Sequence, residues 1–270
     1  MNEVNKTLYI PLYGKAMVSR QGIILHDPTA ERIWDAEGFP IRGKSRSRWL
    51  SYNMAMRARV FDDWTETMLA RHEDALVLHV GCGLDSRCLR VHTACSGWID
   101  CDFPEVIALR QKYYTETERY HMLALDASDP KALAALPESG TAAVVLEGLS
   151  MYLTNEQLVA FLEGLRERYP RLHVLMDVYT DFGARASKLK NPVNDLGVTR
   201  LYGVKDIQAL LRASGLRVKA EHSFTPERLI GELKPGEQRV FRFLFTGSMY
   251  GRIYRLYELE SRDVETDLTL

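Results

Sequence analysis

The chain has 270 residues, 46% of them hydrophobic, with 35 Lys and Arg against 36 Asp and Glu for a formal net charge of -1. That length suffices for one large α/β domain with a full core, and a single domain over residues 1–270 is the expectation. The near-neutral charge balance excludes a global field that would draw the chain to nucleic acid or an anionic membrane, which leaves a small molecule as the expected partner.

The first residues, Met1 to Lys6, are polar, and no later run approaches the ~18 uninterrupted apolar residues of a membrane span. From Leu12 to about Arg71 the pattern is helical, which predicts a helical cap over residues 1–71 ahead of an α/β core over 72–270. His26-Asp27-Pro28 reads as a helix start, with Asp27 capping and Pro28 in the first turn, where its missing N–H is no loss. Arg42, Lys44, Arg46 and Arg48 alternate through a Gly- and Ser-bearing stretch that reads as a solvated linker rather than a substrate-facing lip. Met54, Ala58, Phe61, Trp64 and Met68 recur at helical spacing and predict a helix with its apolar stripe turned inward; Arg57 and Arg59 read as lying off that stripe.

The chain is organised around Ala75 to Arg87. Ala75-Leu76-Val77-Leu78-His79-Val80 is an apolar run of strand length, and Gly81-Cys82-Gly83-Leu84-Asp85-Ser86-Arg87 follows as a tight loop opening a helix. Gly81 and Gly83 permit a sharp turn and close approach of backbone to a ligand. The third glycine of a dinucleotide loop is replaced by Ser86, and no phosphate-loop Gly-Lys-Ser/Thr is present. This argues against a nicotinamide-dependent oxidoreductase and leaves the strand, G-x-G, helix arrangement usual for S-adenosylmethionine (SAM) binders.

Three further strands end in acid. Gly97 to Asp102 places Asp100 and Asp102 about 20 residues beyond the loop, the spacing of a ribose-binding carboxylate, and the two compete for that role. His121 to Asp126 offers Asp126 and the backbone of Ala127 to an adenine ring. Thr141-Ala142-Ala143-Val144-Val145-Leu146 leads into Glu147. Acids delivered to one edge of one sheet point to the crevice outside the strand C-termini, where open α/β sheets bind ligands. Leu172–Tyr179, Leu216–Phe224 and Gly251–Glu260 complete about seven strands, the last alternating in pattern and expected antiparallel beside the sixth. Lys205–Ala213 and Pro235–Phe245 read as helices, and the Asn-, Pro- and Gly-bearing stretch 182–199 as a mobile loop. Cys82, Cys88, Cys95 and Cys101 contain no C-x-x-C pair, so small side chains in a reducing, cytoplasmic compartment are expected, with no metal site.

Several segments together resemble the leucine carboxyl methyltransferase family, which includes the tetracenomycin-type polyketide O-methyltransferases. They are Tyr13-Gly14-Lys15 with His26-Asp27-Pro28, Arg57-Ala58-Arg59-Val60-Phe61-Asp62-Asp63, the Val80 to Arg87 loop, Asp100-Cys101-Asp102-Phe103-Pro104, Leu125-Asp126-Ala127, and Glu147-Gly148-Leu149-Ser150-Met151-Tyr152-Leu153-Thr154. The resemblance implies a Rossmann-like class I methyltransferase sheet and a SAM cofactor. Position by position it implies Lys15 and Arg59 on the methionyl carboxylate, Gly81 and Gly83 beside the amino-acid part, and Asp102 on the ribose. It also implies Asp126 and Ala127 on the adenine, and Glu147 near the ammonium and sulfonium. Met151, Tyr152 and Tyr179 would shape the acceptor pocket, and a carboxylate acceptor would need no catalytic base. The resulting expectation is an O-methyltransferase for a small-molecule carboxylate, with a protein C-terminal carboxyl methyltransferase or a non-catalytic SAM-binding protein as alternatives.

Overall fold

A computed structural model describes residues 3–190, 192–198 and 200–262. Seven strands form one sheet in the order β3-β2-β1-β4-β5-β7-β6: β1 Leu76–Val80, β2 Gly97–Asp102, β3 Tyr120–Ala124, β4 Thr141–Leu146, β5 Arg171–Tyr179, β6 Leu216–His222 and β7 Tyr254–Ser261. The first five are parallel, and β7 runs antiparallel between β5 and β6. The strand order reverses between β1 and β4, so a crevice opens outside the C-termini of those central parallel strands, where β1, β2 and β4 deliver their loops.

Both central strands are buried at every position, which is why they read as unbroken apolar runs. Along β4, Ala142, Val144 and Leu146 face one core with Phe161, Leu162 and Leu165 of helix Asn155–Arg168. Ala143 and Val145 face the other, with Ala58, Phe61, Trp64 and Met68 of helix Arg48–Arg71. The long N-terminal helix is therefore a layer of the sandwich as well as a neighbour of the crevice. Asp27 caps helix Pro28–Glu37 by accepting from Ala30 N–H at 2.8 Å, as its sequence foretells.

One expectation meets a different outcome. The stretch 182–199 is largely helical, Asp181–Lys190 followed by a 3₁₀ turn at Pro192–Leu196, with Asn191 and Thr199 outside the described residues. Pro192 and Gly197 bound that turn instead of opening a loop. The basic stretch is solvated, as expected: Gly43–Arg46 forms a short 3₁₀ helix with Arg42, Lys44 and Arg46 exposed, Arg48 lies on the surface against Glu237, and none of the four lines the crevice.

Helix Asp181–Lys190 is fixed by close backbone packing. Thr180 Oγ1 accepts from Gly183 N–H, and a Cβ at Gly183 would collide with the main chain of Ile253. Gly183→Ala should therefore destabilise the fold by about 1–3 kcal/mol, the scale of overpacking against backbone that has no room to move. Denaturant melts compared with the wild type will show whether the midpoint falls.

Candidate active site

A cavity of about 630 Å³ lies along the C-terminal edge of the sheet, under the N-terminal helices. Its floor is the β1 loop, where Gly81 and Gly83 have φ of 73° and 52°. A Cβ at Gly81 would crowd Leu149, and one at Gly83 would come within 3.2 Å of Leu8, so only glycine gives this left-handed backbone and this close approach together. The helix after the loop is a single turn, Arg87–Arg90.

The two acids of β2 divide cleanly. Asp100 is fully buried and committed to Arg110, Tyr120 and the Trp98 indole; burial opposes its charge, but Arg110 and His79 outweigh burial and hold it at about 2. Asp102, at the strand tip, lines the cavity. Its oxygens accept from Gly83 and Phe103 N–H, both at 2.8 Å, and among the described residues no cation pairs with it. Burial accordingly lifts its carboxyl to about 6, and the two backbone N–H groups only partly offset this. Each oxygen keeps a lone pair for a hydroxyl donor. Because the stronger acceptor is the ionised form, affinity for a diol placed there should be steady above about pH 7 and decline as pH falls through 6. Cofactor titrations between pH 5 and 8 check this; an affinity rising toward acid pH would contradict it.

Asp126 and Ala127, just past β3, also line the cavity, with Asp126 Oδ1 accepting from Ser128 N–H at 2.8 Å. Glu147, past β4, is clasped by two guanidinium groups, Arg57 Nε at 3.0 Å and Arg87 Nη2 at 2.5 Å. Burial would raise its carboxyl, yet Arg57 and Arg87 hold it below its ordinary range. Lys15 lines the cavity while buried against Asp85, Nζ to Oδ2 2.7 Å.

Arg59 does not join this group. It is partly exposed on the surface, donating to Asp63 one helical turn on at 2.8 Å, and it does not line the cavity. Arg57 does: its Nε reaches Glu147, and its Nη1 reaches Asp177 at 3.1 Å and the Tyr254 hydroxyl at 2.9 Å. The reason is helical geometry. Met54, Arg57, Phe61, Trp64 and Met68 repeat at spacings of three and four, so Arg57 belongs to the inward stripe, while Arg59 is displaced by about 200°. Arg59→Ala should change stability by no more than about 0.5 kcal/mol, as for other exposed i,i+4 pairs, and leave cofactor affinity unaltered.

Met151, Tyr152 and Tyr179 line the other end of the cavity. Tyr152 donates to Thr7 Oγ1, and the Tyr179 ring lies 4.7 Å from that of Tyr254. Four groups there went unread in the sequence: Asn53, Arg200, Tyr250 and Tyr254. Asn53 and Tyr250 exchange hydrogen bonds at 3.0 and 3.2 Å, and the Arg200 guanidinium stands over Tyr202 at 4.9 Å. Arg87 and Asp177, behind the wall, were likewise missed. Among the described residues, no group of three or more His, Cys, Asp or Glu could hold a metal, and no helix is long and apolar enough to cross a membrane.

The donor set suits SAM. A half-buried carboxylate with spare lone pairs and, among the described residues, no ion-pair partner fits a ribose, glycines admit close backbone approach, and one end carries clustered cations and acids that fit a zwitterionic head. Comparison with known proteins agrees. The family model described as leucine carboxyl methyltransferase matches residues 5–166. The tetracenomycin polyketide synthesis O-methyltransferase TcmP of Streptomyces glaucescens is 32% identical over 243 residues, covering 88% of this chain and 89% of that protein. In fold, a putative methyltransferase from Thermobifida fusca YX matches with TM-score 0.57 at 13% identity, over 87% of this chain and 89% of that one. Magnesium protoporphyrin IX methyltransferase (ChlM) from Synechocystis PCC 6803, solved with bound S-adenosylhomocysteine (SAH), matches with TM-score 0.50 at 15% identity, over 87% of this chain and all of that one. The chain thus belongs to the leucine carboxyl methyltransferase family and is a SAM-dependent methyltransferase.

Proposed function

We propose that this enzyme methylates an oxygen of a small molecule, specifically a carboxylate. Asp102 binds the ribose hydroxyls, while Asp126 and the Ala127 backbone meet the adenine. The backbone at Gly81 and Gly83 lies along the amino-acid part, whose carboxylate is held by Lys15 and Arg57. Glu147 faces the ammonium and sulfonium, with its charge secured by Arg57 and Arg87. When bound, SAM supplies an electrophilic methyl group on a sulfonium. The protein's own part is to orient the two reactants and exclude water from between them, which is worth several powers of ten in rate. A carboxylate is already ionised at neutral pH, so no catalytic base is assigned.

Arg200 is the observation that carries the carboxylate reading. It lines the acceptor end together with Met151, Tyr152, Tyr179 and Tyr250, a mostly aromatic wall in which a guanidinium would attract and orient an anion. A volume of about 630 Å³ for cofactor and acceptor together suits a small acceptor. The test is incubation with methyl-labelled SAM and a cell extract, followed by alkaline hydrolysis. Volatile labelled methanol from the small-molecule fraction is expected. Alkali-stable label would indicate a hydroxyl acceptor, label in the protein fraction would favour a protein C-terminus, and absence of transfer despite SAM binding would favour a non-catalytic binder.

A further inference from the structure

The ion network behind the cavity wall does not balance. Lys15, Arg57, Arg87 and Arg90 are linked by contacts of 2.5 to 3.6 Å to Asp27, Asp62, Asp85, Glu147 and Asp177, and every one of these side chains is more than nine-tenths buried. Four cations face five carboxylates. In a poorly polarisable interior such an excess is not screened by solvent and is met either by a proton on one carboxylate or by a cation that enters the site.

Asp177 and Asp27 each have one cationic partner among the described residues, and that partner is shared: Arg57 with Glu147, Arg90 with Asp62 and Asp85. Of the two, Asp177 is the one whose neighbours line the cavity; it lies on β5, fully buried behind the wall. Its Oδ1 accepts from Gly148 N–H at 2.7 Å, and its Oδ2 accepts from Arg57 and from the Tyr254 hydroxyl. The other charged or titratable groups around it are Glu147 beyond β4, Tyr152, Tyr179 on its own strand, and Tyr250 ahead of β7; among the described residues none of these is a cation. Burial raises the carboxyl above its ordinary value in spite of Arg57 and the two hydrogen-bond donors. Arg57, Gly148 and Tyr254, which touch Asp177, all line the cavity, so a charge placed there is felt across a single layer of side chains.

SAM and SAH differ by one charge: the zwitterionic head is common, and only SAM carries the sulfonium. Resting on the cofactor placement proposed above, we propose that Asp177 is a positioning residue that reads this difference. Ionised, it completes the charge balance when the sulfonium is present and is left unmatched once the sulfur has become a thioether. The site then holds SAM more tightly than SAH, and loss of the charge on methyl transfer favours departure of the spent cofactor.

Titration calorimetry with SAM and with SAH tests this without any acceptor. The wild type should bind SAM about tenfold more tightly than SAH, equivalent to ~1.4 kcal/mol of charge coupling across one layer of side chains. In Asp177→Asn the ratio should fall toward one, chiefly through weaker SAM binding. In paired buffers of different ionisation enthalpy, scanned from acid to neutral pH, SAM should release more protons than SAH wherever release is seen; Asp102 meets the same ribose in both ligands and cancels in the difference. Tyr254→Phe removes a donor to Asp177 and should move the SAM-specific proton release to higher pH, which serves if the Asn variant does not fold. An unchanged ratio in Asp177→Asn, or unshifted proton release in Tyr254→Phe, would overturn the assignment to Asp177. Failure of the wild type to bind either ligand would instead overturn the cofactor site itself.

Discussion

Arg57→Ala should be among the most damaging single substitutions in the chain, lowering stability by about 3–5 kcal/mol, the usual penalty for stripping the partner from buried charge. The guanidinium is shared by Glu147 and Asp177, and among the described residues its removal leaves Asp177 with no ion-pair partner and Glu147 with Arg87 alone. Both carboxyls would respond by taking up protons, so the loss should be smaller at pH 5 than at pH 8, where both must remain charged or pay the full desolvation. Cofactor binding should fail as well, since the same side chain forms part of the cavity wall. Thermal melts of Arg57→Ala and Arg59→Ala side by side give the check, because the second arginine sits on the surface one residue beyond Ala58. Equal effects would mean that the helix is rotated from the position described.

Asp102→Ala should weaken SAM by about 1–3 kcal/mol, or roughly ten- to a hundredfold, through loss of charge-assisted hydrogen bonds to the ribose. The same substitution at Asp100 should instead unsettle the fold, because that acid is spent on Arg110, Tyr120 and Trp98 within the sheet. Calorimetry on the first variant and denaturant melts on the second separate a binding carboxylate from a structural one two residues away.

That division shows where sequence reasoning reaches and where it stops. Strands β1, β2 and β4 are buried almost throughout, and their mainly apolar runs, interrupted by His79 in β1 and Asp100 in β2 and ending in Gly or acid, are signals local to each segment. The acids at their tips were legible because a parallel sheet sends successive strand ends to one edge. Which of Asp100 and Asp102 faces the ligand was not legible, since it turns on Arg110, a residue of the next helix. Arg57 has the spacing of the inward stripe with Met54, Phe61 and Trp64, but Ala58 fills the same place in that series, which is why the sequence reads Arg57 as lying off it. Arg87 stands within the quoted loop motif, yet its partners Asp62 and Glu147 are distant in the chain. Asp177 and Tyr254 are joined only by the antiparallel pairing of β7 with β5, a contact that no local pattern announces. The stretch 182–199 misled because Pro192 and Gly197 mark the ends of helical segments as readily as they mark loops.

A crystal structure with SAH bound tests the central claim most directly. The expected result is one molecule along the C-terminal edge of the sheet, with ribose hydroxyls on Asp102, adenine beside Asp126 and Ala127, methionyl carboxylate near Lys15 and Arg57, and sulfur turned toward Tyr152 and Tyr179. A nucleoside seated elsewhere, or in this cavity with its ribose away from Asp102, would contradict it.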